Sequence, residues 1–442
     1  MRTRCLVRTL TLAVSLALVP GACGDPPTGN SGAEAPLVVS PKQQWAGGTI
    51  RLQSATLFAD PVDVRVIAGE DTLAFEVLQP DLIEAKLPGT VNGAVAIQVA
   101  VDGERFEAGE IETYGFLESR ILAPALHRGI VEWPAAFGVA VVAGTGTGFP
   151  LGPNGVAILN LSSGVSVEYD SIHNHGLQYW PGISMKPGEI YLRPQPDMSV
   201  LWRLSIAVPP APLDTVPEFT QLGGNNWSLA RVGPDLWIAA GHHTLGVFRG
   251  PDQSGAHQQL LQIPAEETQG YAFLPVAGRV VPASNFFWDD GIPAFDTQSG
   301  EIVFRVRELK SSYAVASDSA LDEFIMAGLD TLDVFGGGRT HSIVIVDGIN
   351  GATKRTRSLE RTPLDAEYEP ESGLIYIETD TSILILEKET LETRGHLEAR
   401  EAVDGWDVEL VMSPDEGLLY AVYGDSSNQG TYVHTYRLKP DR

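Results

Sequence analysis

Histidine is the side chain best suited to proton exchange and metal ligation near neutral pH, and all nine histidines lie beyond residue 116. Four stand in two close pairs, His173 with His175 and His242 with His243. Trp288 is followed directly by Asp289 and Asp290, and His341, Trp180 and Trp227 complete a set of candidate site residues. Imidazole and carboxylate groups converging on one point would form a metal site. Beside large aromatic rings they suit a polar binding mouth, where the rings bury area and the polar groups orient a ligand. We assign these residues to ligand binding and expect neither metal nor cofactor.

What is missing narrows the chemistry further. The two cysteines, Cys5 and Cys23, are too few for a disulfide framework or a Cys-based zinc site. Gly144-Thr145-Gly146-Thr147-Gly148 lacks the Lys-Ser/Thr that a phosphate cradle needs after its glycines. Asp425 to Gly430 begins like a calcium loop, but Tyr436 stands where the bidentate Glu belongs, so the stretch reads as a hairpin turn. No Gly-x-Ser-x-Gly nucleophile elbow occurs. A Ser/His/Asp grouping stays open, because such a triad is defined by geometry.

The chain that must position these residues has 442 residues, 30 basic against 56 acidic, for a net charge of −26. That balance argues against a nucleic-acid partner, since phosphate backbones are held by clustered Lys and Arg. Arg2, Arg4 and Arg8 precede the apolar run Leu10 to Val19, which is shorter than the about 20 residues of a membrane-spanning helix. The pattern is an export signal over residues 1–22. It ends in Val19-Pro20-Gly21-Ala22-Cys23, which resembles the lipobox of bacterial lipoproteins. The resemblance implies that Cys23 is lipidated and becomes the new N-terminus. The chain would then reach the membrane only through that lipid, at the outer membrane or cell surface. Without lipidation it would be periplasmic or secreted. Loss of three arginines leaves 27 basic against 56 acidic residues, a charge of −29. Residues 23–35, rich in Pro and Gly, form a flexible tether.

From residue 36 to 115 short alternating strands are divided by Gly, Pro and Asp turns, as in Val62-Asp63-Val64-Arg65-Val66 and Gly93 to Val101. Six or seven strands in so short a stretch predict a β-sandwich. The segment resembles the IPT/TIG family of immunoglobulin-like domains in its opening strand ending at Pro41, the Gly47-Gly48-Thr49-Ile50 entry, Phe58, Leu87-Pro88, and the Gly93 strand with Asp102-Gly103. The family carries no catalytic residues, and the resemblance implies a spacer or interaction module.

Residues 116–442 repeat a unit in which a Gly/Pro/Asp turn precedes an apolar strand. Its first apolar residues are Val139, Ile190, Leu236, Val280, Phe324, Leu374 and Leu418. A second strand follows each, and turns such as Asp296 to Gly300 and Asp347 to Gly351 lead to a third. Four strands at this spacing make a β-propeller blade. The count is seven, with six and eight also compatible. In its periodicity the segment resembles the quinoprotein-like and WD-type seven-bladed propellers. The fold class expected is therefore all-β, a small immunoglobulin-like sandwich followed by a propeller. The C-terminal blade lacks room for a fourth strand, so a strand from about Phe116 to Leu126 should close the ring there. The loops joining second to third strands, and blade to blade, open at one end. We place His242/His243, Trp288 to Asp290 and His341 in the former and His173/His175 in the latter. The function expected is non-catalytic binding or scaffolding at the cell envelope, with an unknown protein or carbohydrate ligand. The alternative is a propeller enzyme, hydrolase or lyase-like, with or without a metal, acting in the periplasm or at the cell surface.

Overall fold

The structure, a computed structural model, describes residues 37–54, 63–122, 126–132, 139–146, 154–160, 165–169, 184–186, 189–192, 200–205, 214–217, 226–231, 236–241, 244–249, 258–264, 268–274, 276–284, 287–332, 339–379, 382–398, 405–413, 416–425 and 431–439. The expectations for residues 1–35, including Cys23, lie outside them. Among the described residues no helix is long and apolar enough to cross a membrane.

The first nine strands are β1 (Val38–Ser40), β2 (Gln43–Trp45), β3 (Thr49–Gln53), β4 (Val64–Ala68), β5 (Asp71–Leu73), β6 (Phe75–Gln79), β7 (Leu82–Lys86), β8 (Gly93–Val101) and β9 (Glu104–Tyr114). They form two sheets, ordered β1-β3-β7-β6 and β2-β9-β8-β4-β5. Strict alternation drives this layer: in β3 Ile50 and Leu52 are buried and their neighbours exposed. Ile83, Val66, Val99 and Ile111 complete the core between the sheets. Asp102 and Gly103 both have positive φ, the geometry of the tight hairpin that folds β9 back on β8.

β10 (Phe116–Leu122) follows immediately, and seven four-stranded units come after or include it. The first comprises β11 (Leu126–Glu132), β12 (Val139–Gly146), β13 (Asn154–Asn160) and β14 (Val165–Tyr169). The second has β15 (Ser184–Lys186), β16 (Glu189–Leu192), β17 (Val200–Ser205) and β18 (Asp214–Pro217); the third β19 (Asn226–Arg231), β20 (Leu236–Gly241), β21 (Thr244–Arg249) and β22 (Gln258–Pro264). The fourth has β23 (Thr268–Leu274), β24 (Arg279–Ser284), β25 (Ile292–Asp296) and β26 (Ile302–Val306). The fifth has β27 (Ser311–Asp318), β28 (Glu323–Leu332), β29 (Arg339–Asp347) and β30 (Thr353–Leu359). The sixth has β31 (Pro363–Glu369), β32 (Leu374–Thr379), β33 (Ile383–Glu387) and β34 (Thr393–Leu397). The last joins β35 (Gly405–Ser413), β36 (Leu418–Asp425) and β37 (Thr431–Arg437) to β10.

First strands touch first strands from unit to unit, β15 to β19, then β23, β27, β31, β35 and β11, so these strands line the axis of a seven-bladed β-propeller. The repeat has a local cause. The residue before the second strand is left-handed at Gly278, Asp322, Gly373 and Gly417, with φ of 62°, 50°, 68° and 64°. Glycine adopts that conformation without a Cβ penalty, and Asp tolerates it better than most residues. The turn after the third strand repeats as well. Asp296 Oδ1 accepts from the amides of Gln298 and Ser299 at 2.9 and 2.8 Å, and Asp347 Oδ1 from those of Ile349 and Asn350 at 3.0 and 3.1 Å.

Blades are held to one another by apolar faces and, between the fifth and sixth, by an enclosed ion network. Lys388, 2% exposed, pairs with Asp318 and, at 2.6 Å, with Glu323, and its ammonium lies 5.1 Å from the Tyr368 ring centroid. Burial pushes both carboxyls up, but the lysine's hydrogen bonds and charge outweigh it and hold them below the ordinary range.

The ring closes through β10, as expected from the sequence. β10 pairs antiparallel with β37, Ser119 opposite His434 and Ile121 opposite Tyr432, and ends at Leu122. The sandwich is packed onto this seam, and residues 36–442 form one compact unit. Trp45, Ala46 and Tyr114 enter a core with Tyr376, Leu397, Met412 and Tyr436. The Trp45 ring meets Tyr114 and Tyr376 edge-on at 6.3 and 6.2 Å. The amides of His396 and Glu398, at the rim of the sixth blade, donate to Ala46 O and Gly89 O, both at 2.8 Å. Gly395 permits the approach, since a Cβ there would lie 2.4 Å from the Trp45 side chain.

In an antiparallel ladder successive amides point alternately toward and away from the partner strand. Of Ser119→Pro and Arg120→Pro, one should therefore remove a bond to β37 and cost about 1–3 kcal/mol, while the other costs clearly less. Denaturant unfolding of both variants measures the difference, and two neutral outcomes would exclude β10 as the closing strand.

Candidate functional site

At the far end of the propeller the ladders between third and fourth strands shift register in the third to sixth blades. At the end where second strands lead to third strands it is the axial strands that are bulged. In six of the seven blades the ladder between first and second strands shifts register there: at His127/Ile130, Asn226/Ser228, Thr268/Gly270, Ser312/Ala314, Pro363/Asp365 and Trp406/Glu409. In the second blade only Ser184–Lys186 of the first strand are described, and the residues before them lie outside the described ones. A bulge leaves a residue unpaired and re-aims its side chain, which is why bulges collect at barrel rims and binding sites. Here they form a ring at one end of the axial strands.

Four of the ten sequence-predicted residues are brought to this end by the fourth and fifth blades. Trp288, Asp289 and Asp290 lie between β24 and β25, with both carboxylates exposed. The Trp288 amide donates to Lys310 O at 2.6 Å, and the Lys310 ammonium donates to Asp289 O at 2.7 Å. The Lys310 amide in turn donates to Leu329 O at 2.7 Å, and Leu329 stands opposite His341 in the β28–β29 ladder. The His341 ring lies 6.0 Å from that of Tyr313, the residue displaced at the fifth blade's bulge.

Two expectations need correction. His341 is not in a loop: it is the third residue of β29 and is 7% exposed. The strand begins with the polar pair Arg339-Thr340, which made its start read as loop. Trp227 is likewise on a strand, β19, at that blade's bulge. Trp288, partly buried, packs against the core cluster shared by the fourth and fifth blades, which includes Phe324 and Met326. His173, His175, Trp180, His242 and His243 lie outside the described residues. Among the described residues no three His, Cys, Asp or Glu side chains gather as a metal site requires.

A second group of titratable residues lies between the sixth and seventh blades. Asp365 and Glu367 on β31 share a face with Glu378 on β32, which stands directly opposite Asp365. Asp365 Oδ2 accepts from the Leu410 amide of β35 at 2.7 Å. Glu378 Oε1 accepts from the Tyr423 hydroxyl of β36 at 2.9 Å, whereas its Oε2 is buried with no partner among the described residues. Burial lifts the Asp365 carboxyl to about 6. Burial, with the charge of Asp365 added, lifts Glu367 to about 8. Burial also drives Glu378 well above the carboxylate range. Nearby, His434 is enclosed by Phe116 and Tyr423, ring centroids 5.7 and 4.8 Å away, and burial lowers it to about 4. At neutral pH this seam thus favours a protonated Glu367 and a neutral His434, while Asp365, at about 6, is mainly ionised. The sequence signal was the alternation Asp365-Ala366-Glu367-Tyr368-Glu369, acidic at every second position of an axial strand.

No family model matches this chain, and neither does any curated protein. Among solved structures it is similar to a chain of the mitotic checkpoint complex, with 14% identity over 73% of this chain and 92% of that one, at a TM-score of 0.54. It is also similar to the Pan2 WD40 domain of Neurospora crassa, with 7% identity over 72% and 90% of the two chains, at a TM-score of 0.51. At such identities the likeness defines the fold alone, an all-β protein with a WD40-like β-propeller.

The Glu367 proton makes stability depend on pH with a definite sign. Its folded pKa lies above its unfolded value, so its contribution is complete in acid and is lost as pH rises from the ordinary glutamate range through about 8. Glu367→Gln cannot ionise and should gain steadily on the parent chain across that window. Denaturant midpoints measured from acid to mildly alkaline pH test this, and parallel pH slopes for the two proteins would refute it.

Proposed function

We propose that this chain is an exported, lipid-anchored protein of the bacterial cell envelope, an IPT/TIG-type sandwich carrying a propeller that binds a protein or carbohydrate ligand without catalysis. The observation that carries the binding role is the ring of bulges, repeated in six of the seven blades at one end of the axial strands. A bulge is not needed to keep an antiparallel ladder paired, and each of these lies at the same end of its axial strand. The ring serves to present side chains and backbone groups at a mouth. Asp289 and Asp290 stand exposed beside it with Tyr313 and His341, and His173, His175, Trp180, Trp227, His242 and His243 are assigned to the same mouth. Propellers of this fold occur in the mitotic checkpoint complex, an assembly, which accords with a binding role. The envelope location rests on the basic, apolar and Cys23-terminated start of the chain.

Two experiments test the two halves of this reading. A Cys23→Ser chain should move from the membrane to the soluble fraction and lose palmitate labelling; unchanged fractionation would count against the anchor. A diazirine amino acid at position 290, at the bulged end, should give cross-linked adducts in intact cells. The same probe at position 298, in an exposed turn at the opposite end, should give few. Equal yields from the two positions would remove the assignment of the binding end.

A further inference from the structure

We propose that the outer edge of β6 accepts an extended strand from a partner polypeptide in which apolar residues alternate with lysine or arginine. The inference goes beyond the binding role above, since it concerns the sandwich and not the propeller mouth.

β6 ends its sheet, so β7 satisfies its backbone on one side only. All five of its residues are exposed. Their register shows why this is unusual. Phe75 stands opposite Ala85 and Val77 opposite Ile83, so both point to the core face. Ala85 and Ile83 are 1% and 0% exposed, whereas Phe75 and Val77 are 37% and 45% exposed. The apolar layer of the sandwich therefore continues to its last strand and stops there uncovered. An additional strand would pair the free amides and carbonyls and cover these two side chains at once. The β6–β7 register shifts only between Val77 and Gln79, which leaves Phe75, Glu76 and Val77 regularly paired.

Charge decides what kind of strand fits. Residues 69–81, which hold β5, β6 and their turns, contain Glu70, Asp71, Glu76 and Asp81 and no lysine or arginine. Among the described residues no ion pair engages any of the four. Glu76 faces Glu84 across the ladder, and the Glu84 carboxylate is already bridged by Arg51 at 3.2 Å. A strand laid outside β6 would set one side chain beside Glu76 and its neighbours beside Phe75 and Val77. The first position calls for a cation and the others for apolar groups. A second copy of this chain is the wrong occupant, because paired β6 edges would bring the same four acids together. Of the four edge strands, β2 is engaged against β34 of the propeller and β1 and β5 are three residues long with one residue buried in each, so β6 is the longest edge and the one exposed throughout.

The test uses the full chain and the peptide acetyl-Lys-Val-Lys-Val-Lys-Val-Lys-amide. The peptide should bind and slow amide exchange at residues 75–79. Glu76→Lys, an exposed substitution that leaves the core intact, should weaken binding on the order of tenfold. The corresponding Glu-Val peptide should prefer the Glu76→Lys variant to the parent chain. Of two peptides, one with proline at the central valine and one with proline at the lysine before it, at least one should lose binding, because successive amides alternate toward and away from β6. Three results would overturn the proposal: unchanged affinity of both proline peptides, absence of protection at residues 75–79, or equal affinity for the parent and Glu76→Lys chains. Protection of these amides by self-association without peptide would overturn the assigned partner in favour of a second copy.

Discussion

One ladder, β10 with β37, holds the molecule to its shape. A propeller is a sheet stack bent into a ring, and its last blade must find a partner for its outer strand or present an open edge. The chain supplies that partner from the segment immediately after the sandwich, so its first and last propeller strands lie side by side. Tyr114, Gly115 and Phe116 pass directly from the sandwich into this ladder, and the Arg437 amide donates to Gly115 O at 2.8 Å. The sandwich cannot drift from the ring without pulling on its seam. That is why a module whose sequence suggests a spacer is found packed, with Trp45 between Tyr114 and Tyr376.

The packing of blade on blade explains the unusual titratable groups. Blades meet face to face, and a side chain that would be solvated on an isolated sheet is enclosed when the next blade arrives. Between the fifth and sixth blades enclosure brings a lysine to two carboxylates, and the ions persist as a network. Between the sixth and seventh it brings carboxyls together with aromatic rings and a backbone amide, without a cation, and protonation takes the place of pairing. Two interfaces of one architecture thus resolve buried charge in opposite ways, by what the facing blade provides.

Legibility in the sequence followed the same logic. The second and third strands of each blade were read correctly because they are apolar runs between turns with left-handed or Asp-capped residues, a purely local code. The first strands were not read. Their bulges break the alternation of period two, and residues such as Asp365 and Glu367 make them look solvent-facing. What buries Asp365 includes Leu410, 45 positions away, which no local pattern contains. His341 was misplaced for a related reason, since the polar start of β29 hides a strand that its partners on β28 and β30 define. Trp288, which with its two aspartates reads as part of a binding mouth, is also packed, partly buried, against the core between blades.

The sandwich shows how docking and availability are linked. An immunoglobulin-like pair of sheets has open edges, and a free edge is a hazard unless it is covered, charged or used. At β2 the edge is covered by the sixth blade. At β6 only charge is present, and it lies on the strand's outer face at Glu76, not over the apolar positions Phe75 and Val77. Negative charge there repels every other copy of this acidic chain while leaving the backbone open to a basic strand. The arrangement protects against self-pairing without giving up pairing altogether, which is the property expected of an edge kept for a partner.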